Sequence, residues 1–186
     1  IFTNILSQGL SANLNYLIRV ARGDYIVRMD ADDLSHPRRF EVQLSYMEDN
    51  KFIGLCFTKV NIITENNAFI CVKYSPIKVA TSIYLMPYIN YLVHPTAFVR
   101  RDVYLEGGLY NEDFLKAQDW ELWKRLISKG IRFGVVQEVL FDYRLLTKSS
   151  SANLSSSSSH GISYFTAIVL IRNGFKRRSV KLIKKI

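Results

Sequence analysis

Three carboxylates, Asp30, Asp32 and Asp33, stand within four residues of one another directly after the run Tyr25-Ile26-Val27-Arg28-Met29. That run is rich in β-branched and apolar side chains and reads as a buried strand. A strand ending in Asp-x-Asp places its acids in the crevice at the carboxyl edge of an α/β sheet, where ligands bind in open sheets. Hard oxygen donors there suit Mg2+ or Mn2+, shared with the phosphates of a substrate. The same acids also suit a solvated turn that caps a helix starting near Pro37. Clustered aspartates after a strand serve phosphoryl chemistry too, so a Mg2+-dependent phosphatase or nucleotidyltransferase is the rival class.

The acids need elements to hold them. Ser11 fits an N-cap, with Leu14, Leu17, Ile18 and Ala21 at helical spacing until Gly23. After the strand, Pro37 opens a second helix with Phe40, Leu44 and Met47 on one face. Residues 53–63 read as a strand, Asn66-Asn67 as a turn, and 68–74 as the returning strand of a hairpin. Residues 77–89 read ambiguously, with a helix as one option. Residues 91–101 resemble a strand broken by Pro95, hence an edge, a bend or a site loop. Helical spacing covers 115–128, anchored by Leu115, Leu122, Trp123 and Leu126 and stopped at Gly130. Two short strands follow over 131–137 and 139–144, then a serine-dominated linker over 148–160. Residues 162–173 and 179–186 read as helical. Helices alternating with strands, then a mixed β region, predict an α/β fold with a mixed sheet.

At 186 residues with 48% hydrophobic and 22% charged content, the chain suits one globular domain. The longest wholly apolar run near the end, Ala167 to Ile171, is too short to span a bilayer, and the first residues lack a secretory pattern. Cys56 and Cys71, both in apolar runs, read as core thiols of a reducing cytosol. The net charge of +9 gathers in Lys176, Arg177, Arg178, Lys181, Lys184 and Lys185. Such a tail suits an anionic membrane surface or a phosphate-bearing substrate, or is a solvated helix end; no nucleic-acid motif accompanies it. The chain opens on Ile1 and reads as cut from something longer.

Taken in order, several segments resemble the family 2 glycosyltransferases, nucleotide-sugar enzymes of the GT-A fold. They are Gly9-Leu10-Ser11 through Asn15, Ala21-Arg22-Gly23-Asp24-Tyr25-Ile26, and Arg28-Met29-Asp30-Ala31-Asp32-Asp33 with Pro37, Arg39, Phe40 and Gln43. Later come His94-Pro95-Thr96, Gly107-Gly108-Leu109-Tyr110, the stretch Ala117 to Leu126, and Tyr143-Arg144. The resemblance implies that residues 1–147 are the later part of a catalytic domain whose first, base-holding strands are missing, leaving a bare sheet edge open to aggregation or homodimerisation. Residues 148–186 then form the linker and a basic helical tail.

The resemblance also implies roles. Asp32 is a direct ligand of Mn2+ or Mg2+, Asp30 faces the ribose or the metal, and Asp33 either orients a metal-bound water or caps the next helix. Arg22, Arg28 and Arg144 are candidates for the donor phosphates. Asp119, in the first turn of its helix, is the candidate base for inverting transfer, while a capping role fits the same position. The family usually carries Glu-Asp where this chain has Gln118-Asp119, so Gln118 joins His94 and Trp120 as candidates for the acceptor side. A histidine common in the family two residues after Arg144 is Leu146 here. The implied activity is sugar transfer from a nucleotide-diphosphate donor to a surface glycan or lipid-linked saccharide, in the cytoplasm or peripherally at the membrane's inner face. A truncated chain that only binds glycans or partners is a third reading.

Overall fold

The computed structural model describes residues 9–73, 90–146 and 166–171. Helix α1 (Leu10–Val20) leads into β1 (Tyr25–Asp30), followed by the two-residue β2 (Leu34–Ser35) and α2 (Arg39–Asp49). The long β3 (Ile53–Ile63) turns through Asn67, at φ 65°, into β4 (Phe69–Lys73). A 3-10 turn (His94–Thr96) precedes β5 (Phe98–Arg100), α3 (Arg101–Gly107), α4 (Gln118–Ser128), β6 (Arg132–Arg144) and β7 (Thr166–Ile171).

The sheet is mixed, as the sequence predicts, with order β2-β6-β3-β5-β1-β7 and β4 paired to β3. Only β3 and β6 are parallel to a neighbour; the remaining pairs are antiparallel. Because β5 opposes both β1 and β3, the strands β1, β3 and β6 all run the same way. Their carboxyl ends, at Asp30, Ile63 and Arg144, therefore meet at one edge of the sheet.

Both faces are covered. On one, Leu14 and Ile18 of α1, Tyr104 of α3 and Leu122, Trp123 and Leu126 of α4 pack on Ile26, Leu55, Phe57 and Val99. On the other, Met47, Leu44 and Phe40 of α2 pack on Tyr25, Val27, Cys56 and Phe98. Successive β1 residues thus enter opposite cores, which is why the strand reads as one continuous apolar run. Arg39, fully buried at the start of α2, donates to the Arg28 carbonyl (2.9 Å) and to Gln43 Oε1 (2.9 Å), and Gln43 donates to the Thr96 carbonyl (2.9 Å). This bracket ties β1 to the 3-10 turn that carries His94.

Several expectations change. The first helix is capped at Gly9, φ 88°, so Ser11 sits buried inside its first turn. The helix predicted from Leu115 begins at Gln118, after Ala117 in a left-handed conformation (φ 55°); Leu115, 91% exposed, anchors nothing. The two short strands at 131–144 are one strand, in which Thr58 pairs with Val136 and Lys59 with Val139, leaving Gln137 and Glu138 as an exposed bulge. Cys56 is buried as expected, but Cys71 is exposed on β4. Within the segment predicted helical at 162–173, residues 166–171 form a strand running along β1 from Tyr25↔Ile171 to Asp30↔Thr166. Unpaired backbone groups along β1 and the β-branched residues Ile168, Val169 and Ile171 outweigh the helical spacing there. This edge of β1 is thereby paired along its whole length. The expectations for 77–89, the serine-rich linker and the basic helical tail concern segments outside the described residues.

Candidate functional site

Asp30 ends β1 half-buried, and Asp33 N–H donates to the Asp30 carbonyl (3.4 Å) to close a turn. Asp32 is exposed on that turn, whereas Asp33 is 4% exposed and points inward. Burial raises the Asp30 carboxyl; the Arg28 guanidinium, at 2.6 Å, opposes this, while Asp32 and Asp119 push it further up. Burial likewise pushes Asp33 to about 7, against the Arg144 amide donating to Oδ1 at 2.9 Å. Asp33 Oδ2 is buried without a hydrogen-bond partner among the described residues.

Arg144 straps this turn in place. Its Nε donates to the Asp32 carbonyl (2.6 Å) and its Nη1 to the carbonyls of Glu65 (2.8 Å) and Thr64 (3.2 Å). The side chain thereby joins the three strand ends of the carboxyl edge. Arg28 is buried and paired with Asp30, with Nε and Nη1 unpartnered among the described residues. Arg22 is exposed just before β1, at the amino end, where it lines a cleft of about 250 Å³ with Asp24, Arg100 and Arg101. The five strand residues Tyr25 to Met29 separate it from the acids, about 17 Å at the rise of a β-strand, so it is not brought to them.

Asp119, the second residue of α4, is half-buried and its charge acts on Asp30. Acids distant in sequence, from β1 and α4, thus lie within electrostatic reach of one another. Asn90 Nδ2 donates to Asp119 Oδ2 at 2.9 Å, and the Lys73 ammonium feels the same carboxylate. Neither Asn90 nor Lys73 emerges from the sequence, since an isolated amide and a strand-end lysine carry no motif. Gln118 and Trp120 lie half-buried on either side of Asp119, and Lys124 Nζ stands 4.9 Å over the Trp120 ring.

His94 is packed into the fold. It is 8% exposed, its Nε2 hydrogen-bonds Tyr110 Oη at 2.7 Å, and its ring meets the core residue Trp123 edge-on at 5.8 Å between centroids. Burial, and Arg28 nearby, hold it well below its ordinary value, so it stays neutral. Asn15 clamps the following segment, exchanging hydrogen bonds with the Tyr110 backbone (2.9 Å each) and donating to Glu112 (2.8 Å). The Gly107-Gly108 pair has a packing reason: Gly108, at φ 107°, lies against the Arg125 guanidinium, which donates to the Gly107 (3.3 Å) and Leu109 (2.6 Å) carbonyls.

Among the described residues, no three His, Cys, Asp or Glu side chains converge to hold a metal by themselves. Asp33 is turned to the Arg144 amide. Asp30 and Asp32 remain, two hard-oxygen carboxylates, with the charge of Asp32 pushing the Asp30 carboxyl up. That donor set fits a divalent ion of the kind held by one or two carboxylates plus substrate phosphates.

Residues 1–108 match the family described as Glycosyl transferase family 2. The chain belongs to glycosyl transferase family 2. Relatives in this family include an uncharacterized glycosyltransferase of Methanocaldococcus jannaschii, 33% identical over 141 residues (74% of this chain, 47% of the relative). The O-antigen biosynthesis glycosyltransferase WbnJ of Escherichia coli is 35% identical over 144 residues (76% of this chain, 55% of WbnJ). The amylovoran biosynthesis glycosyltransferase AmsB of Erwinia amylovora is 26% identical over 159 residues (81% and 52%). The chain thus spans about half the length of these curated relatives. Among solved structures, S. aureus TarS 1–349 in complex with UDP superposes with a TM-score of 0.54 at 14% identity, covering 79% of this chain and 43% of TarS. That likeness bears out the GT-A-like family 2 fold. No helix among the described residues is long and apolar enough to cross a membrane.

Proposed function

We propose that this chain carries the acceptor-side and metal-holding part of an inverting, metal-dependent glycosyltransferase, moving a sugar from a nucleoside diphosphate to a hydroxyl of a surface glycan or lipid-linked saccharide. The observation that carries the reading is that Asp119, in the first turn of α4, lies close enough to the end of β1 for its charge to act on Asp30. Polysaccharide-building relatives such as WbnJ and AmsB support the acceptor class.

In this reading Asp30 and Asp32 hold Mn2+ or Mg2+, which when bound neutralises charge on the departing pyrophosphate. Asp119 accepts the proton of the attacking hydroxyl. The hydroxyl oxygen bonds to the anomeric carbon, whose bond to the phosphate oxygen breaks with its electron pair leaving on the nucleoside diphosphate. Attack from the opposite face inverts the configuration. Arg144 holds the acidic turn, and neutral His94 supports the segment leading to α4.

UDP, carried by TarS, is the first nucleotide to test, with GDP and dTDP beside it. Calorimetric titration with and without Mn2+ is expected to show metal-dependent binding that weakens about 10- to 100-fold in Asp32→Ala. Binding indifferent to metal and to this substitution, together with phosphate release from simple esters, would favour the phosphatase instead.

A further inference from the structure

The Asp119 carboxylate is held from a direction that no motif indicates. Asn90, just before the buried residues 91–97, donates from Nδ2 to Asp119 Oδ2 at 2.9 Å. The amide orientation follows from chemistry, since the flipped form would set oxygen against a carboxylate oxygen. Asn90 Oδ1 is buried without a partner among the described residues, so this amide is not one member of a fully satisfied structural network. The Asp119 charge also acts on titratable groups of three further elements: Asp30 on β1, Lys73 at the end of β4, and Tyr110 in the segment after α3. Lys73 is the cation among them. Burial pushes its ammonium below the ordinary range, while Asp119 pulls it back up.

We propose that Asn90 is a positioning residue for Asp119, fixing one carboxylate oxygen so that the other is presented to the acceptor hydroxyl. The inference rests on the assignment of Asp119 as general base. An aspartate turns broadly about its terminal torsion, and a single directed hydrogen bond removes that freedom. A neutral amide suits the task, because it orients the carboxylate without the strong stabilisation of the charged form that a bidentate guanidinium would bring. Asn90 and Asp119 lie 29 positions apart, on opposite sides of the 3-10 turn, β5 and α3. Their bond therefore ties the base to the segment that also supplies His94 and Thr96.

The test is a carboxyl 13C NMR titration of the full 186-residue chain labelled at aspartate, with Asp119 assigned by its loss in Asp119→Asn. Asn90→Ala is expected to raise the proton affinity of Asp119 by about tenfold, and Asn90→Asp by more because it adds a like charge. Lys73→Gln shifts the titration the same way. Thermal melts verify folding, and Asn90→Ser replaces Asn90→Ala if the latter does not fold. An Asp119 titration unmoved in folded Asn90→Ala or Asn90→Ser overturns the proposal, whereas the upward shift supports it. Calorimetry with UDP and Mn2+ separates the two levels. Failure of the parent chain to bind UDP counts against sugar transfer from that donor while the NMR titration still decides the Asn90–Asp119 assignment. A tenfold or greater loss of UDP affinity in Asn90→Ala would instead place Asn90 at the donor and overturn the positioning role.

Discussion

The two ends of β1 spend their arginines differently. At the amino end, Arg100 donates to the Ile53 carbonyl (3.0 Å), the Tyr25 hydroxyl (2.8 Å) and the Met47 carbonyl (2.8 Å), and Tyr25 in turn donates to Glu48. At the carboxyl end, Arg28 makes one ion pair and leaves Nε and Nη1 buried and unpartnered among the described residues, beside an Asp33 Oδ2 in the same condition. Unsatisfied buried polar groups cost free energy, so a fold keeps them where something other than stability is served. The amino end joins elements together; the carboxyl end gathers charge that repels itself.

That contrast makes substitutions at the two ends diverge. The largest effect is expected from Asp119→Asn, a loss of about 10²- to 10⁴-fold in transfer rate with UDP affinity unchanged, measured by product formation beside calorimetry. Transfer that survives this change would remove Asp119 from the chemistry. At the opposite end, Arg100→Met breaks three hydrogen bonds and is expected to cost about 2–3 kcal/mol, seen as a Tm lower by roughly 5–10 °C. Its UDP affinity should match the parent's, and a matching fall would erase the distinction between the two ends.

The smallest effect concerns Asp33. Burial raises its carboxyl to about 7 from an ordinary 3.8, so the folded chain keeps a proton that the unfolded chain releases. The stability this contributes is full below about pH 4 and is lost as pH rises through about 7. Asp33→Asn keeps the acceptor for the Arg144 amide and removes the charge. In the metal-free protein its Tm is expected to exceed the parent's by several degrees at pH 8, with the gap narrowing at pH 5 and closing below about pH 4. An equal gap at both pH values would mean that Asp33 is ionised in both.

Much of this was legible along the chain. The run 25–30 shows a strand because Tyr25, Ile26 and Val27 alternate between the two cores and Met29 packs on a third apolar cluster, and the apolar residues of 53–63 show the longer strand in the same way. The acids at 30, 32 and 33 and the Gln118-Asp119 pair were visible as residue types at family spacing. Leu115 misled because helical periodicity continues through a position that a left-handed Ala117 cuts off. The strand at 166–171 misled because its periodicity suits a helix while a free β1 edge was there to pair it.

What the sequence alone determined is local and periodic: the alternating elements, the apolar stripes, the acidic turn after β1 and the membership in family 2. The tertiary structure decided the directions and partners. It turned Asp33 inward, made Arg144 a strap, sent Arg22 to the far end and His94 into the core, and set Asn90 against Asp119. A side chain's type restricts which bonds it can form, but the partner comes from wherever the sheet order brings another strand or helix. Those meetings join residues as far apart as Asp33 and Arg144, 111 positions along the chain, and no local pattern encodes them.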